Sequence, residues 1–360
     1  MNAKNADELP LAGVRVVDLT RVLSGPFCTA LLADLGADIV KVETPGEGDT
    51  VRAQGAIVNG FSSYFANYNR NKRGITLNLR KPEGRDILAR LIAQSDVLMD
   101  NYRPGVLEAM GFDAARLAEL NPRLVRGSIT GFGNSGPYRD RPSFDFIAQA
   151  MSGFMAVNGA PDQPPMRSAP PVSDLVAGLY AALGIVAGLL RRERVDAGAT
   201  ASVSLTGGLI SFLAFIATDY LATGNVPART GNDHPIAAPY GLFRTADEAI
   251  AIAPAGEAMY QRLLRAGCGV AERTRGVPRQ RRAGAQPGGD QCGDRGAHAH
   301  DAGRTLDPGV ERGGGAVLAG DAPAGGVRRS AGCRAACGGD VSAAGAGRDI
   351  GAWLAALRRW

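Results

Sequence analysis

Short apolar runs alternate with amphipathic stretches along the first 265 residues, and this alternation predicts strands and helices in turn. V-R-V-V-D-L, from Val14 to Leu19, reads as a buried parallel strand. A glycine turn at Gly25 and Pro26 follows, then a helix through Ala30 to Leu35 that Gly36 ends. A-D-I-V-K-V-E supplies the next strand and completes a β-α-β unit. G-I-T-L-N-L, from Gly74 to Leu79, predicts a third strand. Pro82 opens a helix through Ile92, D-V-L-M-D returns as a strand, and L-V-R-G-S-I-T-G-F, from Leu124 to Phe132, is another. The predicted class is α/β, a doubly wound open parallel sheet of Rossmann-like form. Ligands on such sheets bind outside the carboxyl ends of the strands, where the loops from Arg21 to Pro26 and from Asn101 to Gly105 fall.

A long apolar stretch runs from Pro170 to Leu190. Its uninterrupted part, Leu175 to Leu190, has 16 residues, short of the roughly 20 that span a bilayer. It carries glycines suited to close packing and predicts a buried helix, with no membrane partner. A second run, Leu209 to Leu221, is shorter and carries Asp219. Asp174 stands at the entrance to the first run. Asp174, or Ser173 before it, serves there as a helix cap, or Asp174 is a reactive group. Backbone N–H groups at a helix start favour negative charge, so the position predicts an ionised carboxylate. Such a group is a usable nucleophile toward an activated carbonyl. The segment alone leaves both readings open.

Composition changes near Ala266. Residues 266–360 hold 22 of the 49 glycines and four of the five cysteines, with no Phe, Tyr, Met or Lys. Such a segment has little from which to build a core. It has 14 Arg against 9 acidic residues, so the body is balanced at 26 basic and 26 acidic, and the whole net charge of +5 belongs to the tail. The charge is therefore no sign of a nucleic-acid partner. M-N-A-K-N-A-D-E-L-P lacks an apolar signal region. Cys28, alone in the body, fits a reducing cytoplasm. Cys268, Cys292, Cys333 and Cys337 form no convincing zinc pattern, and no metal is expected.

Several chemistries are poorly supported. The first strand is followed by T-R-V-L-S-G-P-F-C rather than G-x-G-x-x-G, which argues against a nicotinamide cofactor. His234 is the one histidine of the body, and G-x-S-x-G is absent there, which argues against serine, cysteine and zinc hydrolases. A carboxylate remains for covalent chemistry.

The chain resembles the family III CoA-transferases, which include formyl-CoA and carnitine CoA-transferases. The resemblance is carried by L-A-G-V-R-V-V-D-L-T-R-V-L-S-G-P-F, L-L-A-D-L-G-A-D-I-V-K-V-E, N-R-N-K-R-G-I-T-L-N-L, D-N-Y-R-P-G-V-L, G-F-G-N-S-G-P-Y and D-F-I-A-Q-A-M-S-G, in that order. It implies a large CoA-binding domain over 1–205, a linker over 206–230 and the start of an incomplete small domain over 231–265. It further implies that Asp174 is the nucleophile, passing through acyl-aspartyl anhydride and aspartyl-CoA. The substrates implied are an acyl-CoA and a carboxylic acid acceptor, with no permanently bound cofactor. Contacts to CoA carried over by position are Leu23, Ser24, Leu77, Arg80, Asn101, Tyr102 and Arg103, with Phe144 along the pantetheine path. Tyr102 is placed to stack on adenine, and Arg80 and Arg103 to meet phosphates. Leu77 as plain core and Arg103 as the partner of a local acid stand as alternatives. Thr44 departs from relatives that carry a basic residue at its position. The related α-methylacyl-CoA racemases share the fold but use a histidine just before the segment matching F-D-F-I-A-Q, and this chain has R-P-S-F-D there.

The resemblance also implies interlocked dimers and a continuation past Ala266 that this chain lacks. Back-translation of Val277 to Ala335 with free degenerate bases, read one base later, gives an open frame. That frame contains G-V-P-C and F-A-D-P-Q-V, similar to the family's small-domain ending. The tail over 266–360 thus reads as a frameshift product, and an inactive family member is the alternative to an active transferase.

Overall fold

The computed structural model describes residues 9–254 and 256–265. The expectations for the tail over 266–360 lie outside these residues. The described chain divides into two compact units after Arg229.

The first unit is built on β1 (Arg15–Asp18), β2 (Asp38–Glu43), a short hairpin of β3 (Ile57–Val58) and β4 (Phe61–Ser62), β5 (Lys72–Thr76), β6 (Val97–Asp100), β7 (Val125–Thr130) and β8 (Ala199–Ser204). Its helices are α1 (Ser24–Asp34), α2 (Ser63–Asn69), α3 (Pro82–Ala93), α4 (Val106–Ala109), α5 (Ala114–Leu120), α6 (Asp145–Met151), α7 (Phe154–Val157), α8 (Val172–Val195), α9 (Leu205–Phe212) and α10 (Ala214–Thr223). Six strands form one sheet in the order β5-β2-β1-β6-β7-β8, every pair parallel. The chain winds outward from β1 to β5, returns to β6 beside β1, and winds the other way. The switch point therefore lies between the carboxyl ends of β1 and β6.

Successive side chains of a strand face opposite sides of the sheet, and both sides are covered. Val16, Ile39, Val97, Met99 and Val125 pack with Ala177, Ala181 and Ile185 of α8 on one face. Val17, Val42 and Leu98 pack with Leu88 and Ile92 of α3 and Leu117 of α5 on the other. Strands buried on both faces read as continuous apolar runs, which is why β1, β2, β6 and β7 were legible in the sequence.

The structure moves several boundaries. Helix α1 begins at Ser24, so Gly25 and Pro26 lie in its first turn rather than in a separate turn. Proline is tolerated there because the first helical N–H groups have no partner within the helix. Strand β5 begins at Lys72 and ends at Thr76, earlier than the expected Gly74 to Leu79. Lys72 is drawn inward by a buried partner, Asp18. Strand β8, A-T-A-S-V-S, was not anticipated; it is an edge strand paired to β7 and carries few large apolar residues. Helix α8 is 24 residues long, longer than the apolar run suggested and long enough to cross a membrane by length and composition. Here it buries Val176, Ala177, Ala181, Ile185 and Leu189 within the protein. Residues 206–230 contain most of α9 and all of α10.

The second unit, over residues 230–254 and 256–265, contains the antiparallel pair β9 (Gly241–Arg244) and β10 (Ala249–Ile252) and helix α11 (Glu257–Arg265).

Candidate active site

The loop leaving β1 is shaped by buried charge. Val22 has φ +68°, an unfavourable conformation for a β-branched residue. The Asp49 carboxylate accepts the Val22 N–H on both oxygens at 3.2 Å. Asp49 pairs with Lys41 at 3.1 Å, and the Lys41 ammonium also donates to the Thr20 carbonyl at 2.9 Å. Beneath the loop, Lys72 donates to Asp18 at 3.1 Å, to Thr29 Oγ1 at 2.8 Å and to the Pro26 carbonyl at 3.0 Å. Burial opposes ionisation of Asp18, but Lys72, Lys41 and the hydroxyls of Thr20 and Thr29 outweigh it and hold its carboxyl below the usual value. Unpaired charges so deep would be costly, so these pairs commit the loop to one shape.

This loop delivers Ser24 to α8. Helices α1 and α8 meet at Gly178, where a Cβ would lie 2.8 Å from both the Ser24 carbonyl oxygen and Phe27 Cδ1. One turn earlier on α8 is Asp174. It lies in the first turn, after the N-cap residue Pro171, and no side chain of α8 caps that end. Asp174 and Ser173 are therefore not the N-cap residue that the simple reading required. The cap role is filled from α6: Asp145 Oδ1 accepts the Ser173 N–H at 3.0 Å and the Ser173 hydroxyl at 2.8 Å.

The expectation of a readily ionised Asp174 needs correction. Burial, then the charge of Asp145, push its carboxyl up to about 7, against the pull of a hydrogen bond from Ser24. The helix start does favour the anion, but desolvation and a like charge oppose it more strongly. Tyr64 of α2 faces the same place: burial first, then Asp174, push its phenol up to about 12. Its ring meets Tyr68 edge-on with centroids 5.7 Å apart, and Tyr68 meets Phe27 at 5.9 Å, so an aromatic wall stands beside the carboxylate. Burial pushes the Cys28 thiol upward, which leaves it a poor thiolate.

At the switch point, the Asn101 side chain is spent on the neighbouring loop: Oδ1 accepts the Arg21 N–H at 2.9 Å and Nδ2 donates to the Arg21 carbonyl at 2.7 Å. The Arg21 guanidinium lies 5.5 Å from the Tyr102 ring centroid. Tyr102 and Arg103 line a cleft of about 260 Å³ with Asp100, Arg126, Asn134 and Arg139. Burial pushes the Asp100 carboxyl up to about 6, against the pull of Arg126. The remaining expected contacts are dispersed. Leu23 and Ser24 are buried at the start of α1. Leu77 is buried in the α3 core, so its side chain packs there. Arg80 is exposed in the turn before α3. Phe144 is 71% exposed at the N-cap of α6. Among the described residues, no cluster of three His, Cys, Asp or Glu side chains forms a metal site.

The family model described as CoA-transferase family III matches residues 11–287, past the compositional change at Ala266. The chain belongs to CoA-transferase family III. It is 42% identical over 255 residues to the acetyl-CoA:oxalate CoA-transferase of Acetobacter aceti, covering 71% of this chain and 66% of that one. It is 40% identical over 239 residues to the succinyl-CoA–D-citramalate CoA-transferase of Chloroflexus aurantiacus, covering 66% and 60%. Among solved structures it resembles a CaiB/BaiF family protein from Brucella suis, with 38% identity, a TM-score of 0.65 and coverage of 72% and 69%. The chain spans under two thirds of the length of these two curated relatives.

Sequence reasoning missed Asp145, Tyr64, Lys41, Asp49 and Lys72 as site-builders. Lys41 did leave a trace, a lysine in the middle of an otherwise buried strand. Asp145 had none beyond its place in D-F-I-A-Q-A-M-S-G.

Proposed function

We propose that this chain is a CoA-transferase that moves CoA from an acyl-CoA thioester to a carboxylic acid through covalent intermediates on Asp174. The observation that carries the reading is the placement of Asp174: a partly buried carboxyl in the first turn of α8, where that helix meets α1 at Ser24 and Gly178. A carboxylate partly stripped of water is a stronger nucleophile than one in solution, and the positive end of the α8 dipole favours a developing oxyanion.

In the proposed sequence, an Asp174 oxygen attacks the thioester carbonyl, the C–S bond breaks, and CoA leaves as thiolate from a mixed anhydride. The thiolate attacks the aspartyl carbonyl and expels the donor carboxylate, leaving aspartyl-CoA. The acceptor carboxylate attacks that thioester, the C–S bond breaks, and CoA leaves as thiolate from a second anhydride. Thiolate attack on its acyl carbonyl releases the new acyl-CoA and restores Asp174. Each step exchanges acyl groups of similar activation, so no phosphoryl donor enters.

Tyr102 and Arg103, in the cleft at the switch point, are the contacts assigned to the CoA nucleotide, and Leu23 and Ser24 to the path toward Asp174. Leu77 and Arg80 contribute through the backbone and an exposed guanidinium, and Phe144 flanks the pantetheine. The working form is a cytoplasmic homodimer. Residues 266–360 are proposed to be encoded out of frame, on the strength of the shifted frame behind Val277 to Ala335.

Incubation of the protein with an acyl-CoA and hydroxylamine, followed by peptide mass spectrometry, tests the reading. A hydroxamate on Asp174 is expected. Full transferase activity in Asp174→Ala would refute it. The nucleotide sequence around the codons for Leu263 to Val277 tests the frame.

A further inference from the structure

We infer that Asp145 is a positioning residue for Asp174, holding the first turn of α8 in place and setting the ionisation of its neighbour; the inference rests on the transferase reading for its catalytic meaning. Asp145 belongs to α6, yet it caps α8. Its Oδ1 takes two donors from Ser173, the residue immediately before Asp174. Its Oδ2 accepts Gln149 Nε2 at 2.7 Å, and Gln149 Oε1 accepts the Ser168 N–H at 2.8 Å. Asp145, Gln149 and Ser173 are all buried. The chain of bonds ties α6 to the segment entering α8 at two points, Gln149 to Ser168 and Asp145 to Ser173.

Ser173 is the second helical residue of α8, and an acceptor on its N–H is what an N-cap side chain ordinarily supplies. Proline at position 171 supplies no such acceptor, so the cap comes from 28 residues earlier. The arrangement fixes the rotation of the first turn and therefore the direction in which Asp174 leaves the helix. It also sets a second negative charge beside the nucleophile. The titratable groups acting on Asp174 are Asp145 from α6 and Tyr64 from α2, with the Ser24 hydroxyl of α1 as its hydrogen-bond donor. Of these, Asp145 alone adds negative charge at neutral pH. Burial first, and then this like charge, keep the nucleophile protonated until the pH approaches neutrality.

A charge swap separates charge from packing. In Asp145→Asn combined with Gln149→Glu, the new Asn amide can donate to the new Glu, the Asn oxygen still accepts from Ser173, and the Glu still accepts from Ser168. The charge has moved one turn along α6, from the acceptor of Ser173 to the acceptor of Ser168. Infrared difference titration of the full-length chain against Asp174→Asn reads the Asp174 carboxyl directly, without turnover. The swap is expected to lower the Asp174 midpoint by about one pH unit, and the acid limb of CoA transfer should move with it. An unchanged midpoint in a folded swap variant overturns the inference. Should the swap fail to fold, Asp145→Glu carries the test, because it keeps the charge and displaces the oxygens from Ser173. A wild-type midpoint with a slowed transfer rate supports positioning, and a wild-type rate overturns it. A wild-type chain that titrates as described but transfers no CoA refutes the transferase reading and leaves the electrostatic role of Asp145 standing.

Discussion

The side-chain amide of Asn101 grips the backbone of Arg21 at both its N–H and its carbonyl, 80 residues away in sequence. It joins the loop after β6 to the loop after β1 across the switch point of the sheet. Its amide thereby holds the loop of Tyr102 and Arg103 to the loop that leads to Leu23 and Ser24. Asn101→Ala removes two hydrogen bonds of about 1 kcal/mol each. Denaturant unfolding should show a loss of about 1–3 kcal/mol, and calorimetry a weaker affinity for CoA. Weaker CoA binding with wild-type stability would instead mark Asn101 as a direct contact.

Tyr102 presents its ring between Arg21 and the cleft that holds Arg103, Arg126 and Arg139. If adenine stacks on it, Tyr102→Ala weakens CoA by about 1–3 kcal/mol, and Tyr102→Phe retains most of the affinity. Equal affinity for CoA in wild type and Tyr102→Ala would reduce the residue to packing.

Gly178 lets α1 approach α8 closely enough for Ser24 to reach Asp174. Backbone and an aromatic ring stand 2.8 Å from where a Cβ would be, and backbone yields poorly. Gly178→Ala should destabilise the fold by about 1–3 kcal/mol and slow transfer through displacement of Ser24. A Gly178→Ala protein with wild-type melting temperature and rate would show that the helices separate freely.

Asp174 links activity and stability to pH with opposite signs. Transfer needs the anion, so kcat/KM should rise with pH and level off above about 7. Stability runs the other way. The folded value lies above the unfolded one, so the neutral acid favours the fold, and that contribution is lost as pH rises through about 7. Asp174→Asn should therefore stabilise the protein more at pH 8 than at pH 4, by on the order of 1–4 kcal/mol, while abolishing transfer. Equal melting temperatures of both proteins at pH 8 would contradict the burial of an ionised Asp174.

Strands β1, β2, β6 and β7 were legible because parallel strands buried on both faces are written as local apolar runs: Val16 with Val17, and Val97 with Leu98, each send neighbours to opposite cores. The place of Asp174 was legible for the same reason, since it precedes the longest such run. The dense polar scaffold around it was not. Asp49 and Lys72 look in sequence like ordinary surface residues, Lys41 and Asp18 sit in strands with no sign of their partners, and β8 looks like a loop.

Sequence alone determined the α/β order, the switch-point loops and a carboxylate at the start of α8. Tertiary structure alone decided that Asp145 caps that helix, that Asn101 is spent on Arg21, and that Asp174 is held near neutrality rather than fully ionised. Periodicity is a local property, carried by each segment for itself. A polar group's partner and its solvation depend on which distant segments the fold brings against it, and no pattern within either segment encodes that meeting.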